Sequence, residues 1–159
     1  MHVDTIIENA VNTDTKSYAL IMLEHAVNTA WNTLPMDNRN SIKNYIVGKV
    51  IASCTDKSIE PLQHRLNIVL VSIVKREWTN TWRDFIPEIC GASRSSQPLC
   101  ENTMKVLKIL SEEIFDTHKN NLTSARRKNL KETMNNEFSK IYELCSWILT
   151  TSIEHSGAV

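Results

Sequence analysis

The side chains of this chain with the most reactive chemistry are five histidines (His2, His25, His64, His118 and His155) and four cysteines (Cys54, Cys90, Cys100 and Cys145). A metal centre or a nucleophilic site needs such groups at short, fixed spacings, so that one helix face or loop aims several of them at one point. Here they are scattered. No C-x-x-C pair, H-E-x-x-H, nucleophile elbow or glycine-rich phosphate loop occurs. His25 follows Glu24, but positions i and i+1 do not face each other on a helix, so the two cannot act as an acid–base pair. The sequence therefore predicts no catalytic, cofactor-binding or metal site, and a protein that is not an enzyme. The cysteines are expected to be reduced, mostly buried, small apolar residues.

Composition narrows the classes further. Lys and Arg together number 18, as do Asp and Glu, so the formal net charge is zero. Nothing in that balance draws the whole chain to nucleic acid or to an anionic membrane. The opening MHVDTIIENAV lacks the basic cap and apolar run of a signal peptide, and no apolar stretch approaches the ~20 residues of a membrane span. A soluble intracellular protein is expected. With 159 residues the chain can bury a genuine core, and 3 Gly and 4 Pro suit long uninterrupted helices.

Those helices follow from apolar spacing. Asp14 or Thr15 is the expected cap of a helix from Lys16 to Asn32, carrying Tyr18, Leu20, Ile21, Leu23, Val27 and Trp31. Pro35 suits the first turn of the next, which runs to Ser53 with Ile42, Tyr45, Ile46 and Val50 inward. Leu62 to Glu77 repeats the pattern and ends at Trp78. Trp82 to Ala92 follows, where Pro87 should kink or shorten the helix, and Gly91 with GASRSSQP should break the chain. Helices from Leu99 to Phe115 and from Thr123 to Ser152 complete the series, the last with Leu130, Met134, Phe138, Ile141, Cys145, Ile148 and Leu149 on its face. Val3 to Ala10 resembles the second half of a hairpin. The aromatic residues Trp31, Trp78 and Phe115 close successive units at intervals of about 37 to 47 residues, the range of stacked helical-hairpin repeats. A compact helical bundle, which needs no regular period, is the other fold this pattern allows.

The stretches VDTIIENAVNTDTKSYALIMLEHAVNTAW, IKNYIVGKVI, LNIVLVSIVKREW, FIPEICGASRSS, LCENTMKVLKILSEEIFD and LKETMNNEFSKIYELC resemble, in that order, the amino-terminal repeats of the export receptors of the karyopherin-β family. The likeness covers essentially the whole chain. It implies an all-α fold, an α-α superhelix (a HEAT/ARM-like repeat solenoid, right-handed), with residues 1–159 forming one partial solenoid of about three to four hairpins. The family's first helix and its many later repeats are missing, so a fragment of a larger receptor is expected, with exposed apolar faces that promote self-association. The implied partners are Ran in its GTP state and the remaining repeats of the receptor, with export-signal cargo reached only through the full-length protein. The implied location is nucleus and cytoplasm, shuttling through nuclear pores. The family's reactive cysteine lies in central repeats, so none of the four cysteines here inherits its role. The family has Trp-Pro at both tryptophans of the turn. Here Thr79 and Arg83 follow Trp78 and Trp82, which should loosen that turn.

In the family the second helix of each hairpin lines the hollow side. On the first such helix, Asn44, Gly48 and Thr55 fall opposite the core stripe at about 100° per residue, with Ile51 beside them. Gly48 costs roughly 1 kcal/mol against Ala in a helix interior, which a tight helix–helix contact within the repeat, or the approach of a partner's backbone, would explain. On the last helix, Glu132, Asn136, Ser139 and Glu143 form the outward stripe. These eight residues are the candidates for Ran contact; a solvated face and a purely structural segment is the alternative. Arg126, Arg127, Lys128 and Lys131 crowd the start of that helix against its dipole, and Glu112, Glu113 and Asp116 are the expected neutralising groups.

Overall fold

The computed structural model describes residues 3–116, 118 and 122–157. Among the described residues seven α-helices follow one another: α1 (Val3–Asn9), α2 (Thr13–Ala30), α3 (Met36–Ala52), α4 (Gln63–Glu77), α5 (Phe85–Ser93), α6 (Gln97–Phe115) and α7 (Ser124–Gly157). No strand is present among the described residues. The fold is all-α, a HEAT-like stack, as the sequence predicts.

Local chemistry sets the boundaries. Asn12, rather than Asp14 or Thr15, caps α2: its side-chain oxygen accepts from the Asp14 backbone N–H at 2.8 Å. Pro35 is the cap residue of α3. Ser96 caps α6 by accepting from the Leu99 N–H, and Pro98 sits in that helix's first turn. The helix expected from Trp82 is shortened and starts at Phe85, so that Pro87 falls in the first turn of α5, where a missing N–H costs no hydrogen bond. That helix ends at Ser93 and α6 starts at Gln97, so the break falls within GASRSSQP as expected.

The stack is organised on α4, which packs against α2, α3 and α6; α5 lies on α6, and α7 on α5 and α6. Ten of the fifteen residues of α4 are buried, so the polar ones among them must find partners inside. Asn67 and Asn102 of α6 exchange two amide hydrogen bonds, at 2.7 and 3.1 Å. Lys75, 1% exposed, reaches Glu113 at 2.8 Å. The Glu77 carboxylate accepts from the Trp31 indole N–H at 2.6 Å and from the Thr81 hydroxyl, with Arg39 at 3.7 Å. The first two pairs tie α4 to α6 and the third ties it to the end of α2 and to α3, and loss of one member would strand the other at ~1–3 kcal/mol.

Several residues expected inward are not. Tyr18, Phe138 and Leu149 are exposed, and Phe115 is too exposed to close a unit as Trp31 and Trp78 do. Instead its ring lies under the Lys131 ammonium at 5.7 Å. Toward the first turn of α3 a 490 Å³ cleft remains, lined by Leu23, Val27, Trp31, Leu34, Ile42 and Tyr45.

The short α1 is held by Val3 and Ile7 in the core and by Glu8, whose Oε1 meets Lys49 Nζ at 2.6 Å and accepts from the Tyr45 hydroxyl at 2.9 Å. The Lys49 hydrogen bond, then that of Tyr45, holds the Glu8 carboxyl below its ordinary range. A folded-state value below the unfolded one gives stabilisation that is complete above the usual carboxylate range and lost as the pH falls through the folded-state value. Acidification should therefore loosen α1 from α3, seen as faster amide exchange in α1, and Glu8→Gln should flatten that pH dependence.

Candidate partner-binding surface

Helices α3 and α5 lie side by side over α4 and α6, and a 150 Å³ groove runs between them. Val47, Ile51, Trp82 and Ile89 form its walls, with Val50 and Val106 below. Trp82 is fixed from both sides. Lys43 stands over its ring at 5.1 Å, its indole N–H donates to Glu88 Oε2 at 2.9 Å, and the Phe85 ring meets it edge-on at 5.0 Å. The groove thus has an apolar interior and a rim carrying both a cation and a carboxylate, a combination suited to a protein surface with one protruding apolar side chain.

Of the candidates from sequence, Asn44, Gly48 and Ile51 are exposed on α3, and Ile51 stands at the groove. Thr55 is exposed too, but α3 ends at Ala52 and Thr55 sits in the turn that follows, off the helical stripe. Extrapolating about 100° per residue past the helix end misplaced it. Glu132, Asn136, Ser139 and Glu143 are all exposed on one stripe of α7. They share no groove with the α3 residues; α5 neighbours both helices. Trp82, Glu88 and Ile89 were missed, because their place at the groove depends on how α5 packs beside α3. The signal available was Trp82 itself, a large aromatic residue just before a helix that already had Phe85, Ile86 and Ile89 to bury.

The space over Gly48 removes one of its two explanations. A methyl group built on it meets nothing within 4 Å. No tight contact inside the repeat requires a glycine there, contrary to that expectation.

The basic start of α7 is used internally, with backbone carbonyls at helix ends among its partners. Arg126 donates from Nε to the Lys75 carbonyl at 3.0 Å and from Nη2 to the Trp78 carbonyl, and so caps the carboxy-terminal end of α4. Arg127 donates to the carbonyls of Glu113, Ile114 and Asp116 at the end of α6. A cation on the negative end of a helix dipole contributes up to ~2 kcal/mol when partly buried. Lys128 is exposed. The four cysteines are free thiols, Cys90 and Cys100 buried; burial pushes the thiols of Cys54, Cys90 and Cys100 above their ordinary range, away from the reactive thiolate.

Comparison with known proteins places this architecture. The family model described as "Exportin 1-like protein" matches residues 60–158, and that of the importin-beta N-terminal domain matches residues 2–52. The chain belongs to the exportin-1-like family. It is 42% identical over 155 residues to Exportin-1 of Drosophila melanogaster, covering 95% of this chain and 15% of that protein. Protein EXPORTIN 1B of Arabidopsis thaliana is 42% identical over 151 residues, 92% of this chain and 14% of the relative. Exportin-5 of Homo sapiens is more distant, 28% identical over 145 residues, 88% of this chain and 11% of its own length. The chain thus spans about a seventh of the exportin-1 relatives it matches.

This exportin-1-like chain departs from the Trp-Pro turn in a way the structure explains. Thr79 has φ 76°, which a proline ring, locked near −65°, cannot adopt. Its hydroxyl donates to Asn129 Oδ1 at 2.9 Å and accepts from Arg126 Nη1 at 2.8 Å. The turn is tied to α7 rather than loosened. Trp78 stays fully buried within it, its ring meeting Phe85 at 6.2 Å.

The open space at Gly48 yields a direct test. Gly48→Ala should raise stability by up to ~1 kcal/mol, because the helix gains propensity and the methyl clashes with nothing; denaturant unfolding measures it. A destabilised variant would mean that α3 is packed more tightly there than the structure has it.

Proposed function

We propose that this chain acts as an amino-terminal segment of a nuclear export receptor and contributes to binding Ran in its GTP state, with the exposed face of α3 and the adjoining groove against α5 as the contact surface. Cargo carrying an export signal is engaged only by the full-length receptor, whose remaining repeats join this segment in one solenoid of hairpins. The protein would shuttle between nucleus and cytoplasm through nuclear pores.

The observation that carries the reading is the face of α3, within the residues matched by the importin-beta N-terminal model. It presents a helical glycine with nothing above it, beside the half-exposed Ile51 and the fixed ring of Trp82. A glycine kept in a helix at a cost to stability, on an open face, permits a partner's backbone to come close. Asn44 beside it offers a donor and an acceptor for that backbone. The α7 stripe of Glu132, Asn136, Ser139 and Glu143 is a second, more polar contact, and Thr55 lies at the edge of the first.

Immobilised chain should retain Ran loaded with a non-hydrolysable GTP analogue and not Ran·GDP. Gly48→Ala should weaken that retention while leaving the fold intact, and Ile51→Asp should weaken it further. Equal retention of both nucleotide forms, or of neither by a chain whose helical content is unchanged, would instead support the purely structural segment.

A further inference from the structure

On α3 the residues Arg39, Lys43, Val47 and Ile51 stand four apart, so they form one inclined ridge along the helix. That ridge faces the segment that leaves α4 and enters α5. Its first two positions are pinned: Arg39 Nη1 lies 3.7 Å from Glu77 Oε1, and Lys43 Nζ stands 5.1 Å from the centre of the Trp82 ring. Its last two positions are open, with Val47 and Ile51 sharing the 150 Å³ groove with Phe85 and Ile89. The seam between the two hairpins is thus fixed at one end and free at the other.

Trp82 forms the firm side of that seam. Its backbone N–H donates to the Glu77 carbonyl at 3.1 Å, which ties it to the end of α4, and its indole N–H ties it to Glu88 of α5. Lys43 reaches the same ring from the neighbouring hairpin, half-buried and one turn before Val47, so it is the pin nearest the groove. An ammonium already stripped of part of its water is held more firmly by an indole face than a fully hydrated one. Helix α3 does not need this contact to stay in place, because Ile46 and Val50 anchor it in the core. What the contact supplies is spacing.

We propose that Lys43 is a positioning residue: through the Trp82 ring it holds α3 at the distance from α5 that keeps the groove open to a side chain of the partner. The inference rests on the reading that this groove meets Ran in its GTP state, and it assigns Lys43 an indirect part in that contact. Without the charge the groove has no single width, and part of the binding free energy then goes into ordering it.

The affinity of the whole chain for Ran loaded with a non-hydrolysable GTP analogue tests this. Lys43→Gln should weaken binding by about fivefold, and Lys43→Arg should restore it, because a guanidinium also stacks on an indole face. In a Trp82→Leu background, Lys43→Gln should have no further effect, since the lysine acts through the ring. In the free chain the Trp82 indole N–H resonance should shift in Lys43→Gln and return in Lys43→Arg, with those of Trp31, Trp78 and Trp147 unmoved. All variants should keep the parent's helical circular dichroism. A loss that persists undiminished in the Trp82→Leu background overturns the proposal, because Lys43 would then touch the partner itself. So does an unmoved Trp82 resonance, or binding that Lys43→Gln leaves intact. Should the parent itself fail to hold Ran, the assignment of the groove's partner falls, and the indole spectrum alone decides whether Lys43 positions Trp82.

Discussion

The structure depends on one constraint: α4 is surrounded. Val69, Leu70, Val71, Ser72, Ile73, Val74 and Lys75 are buried in unbroken succession, so this helix has no solvent face along its middle. A helix apolar all round is stable only when neighbours enclose it, and here α2, α3 and α6 do so. Burial on that scale supplies the main drive for bringing hairpins distant in sequence together. It also imposes a demand, because every polar group on α4 must be answered from a neighbouring helix.

The answers determine how the hairpins are positioned. Asn67 sets α4 against α6 through a reciprocal amide pair, Glu77 receives the Trp31 indole from the end of α2, and Arg76 donates to the Asn28 carbonyl of the same helix at 2.7 Å. The end of α4 is then closed by the Arg126 guanidinium, which arrives from the start of α7 and fixes the Trp78 turn on the way. These directional contacts favour one arrangement among the many that apolar burial alone would tolerate. Because α4 is fixed, α3 and α5 are held over it at a spacing that leaves a groove, and the candidate partner surface follows from that spacing.

Periodicity made most of the helices legible in the sequence. Leu66 to Val74 announces a buried helix without any tertiary information, and Pro35 and Pro98 mark starts because their chemistry permits little else. What was not legible was orientation around α7. Phe138 and Leu149 are apolar like the core residues, yet at 100° per residue they lie about 80° to 100° round α7 from Leu130 and Ile148, and they look like core until the neighbouring helices are in place. The destinations of Arg126 and Arg127 were hidden for the same reason: a sequence shows which charges sit near one another along a helix, not which helix ends lie across from them. The candidate surface divides similarly. Asn44, Gly48 and Ile51 could be found from one helix alone, Thr55 depended on where that helix ended, and Trp82, Glu88 and Ile89 became visible only through the packing of α5 beside α3.

A surface of this kind works by shape and placement, and its performance rests on the rigidity of the helix beneath it. Native-state hydrogen exchange reports that rigidity residue by residue. The amides from Val69 to Val74 should exchange only through global unfolding, with one shared free energy equal to that from denaturant melts, while the last turns of α7 exchange far faster. If the α4 amides instead exchange as readily as the end of α7, the surrounded helix is not what holds the hairpins together.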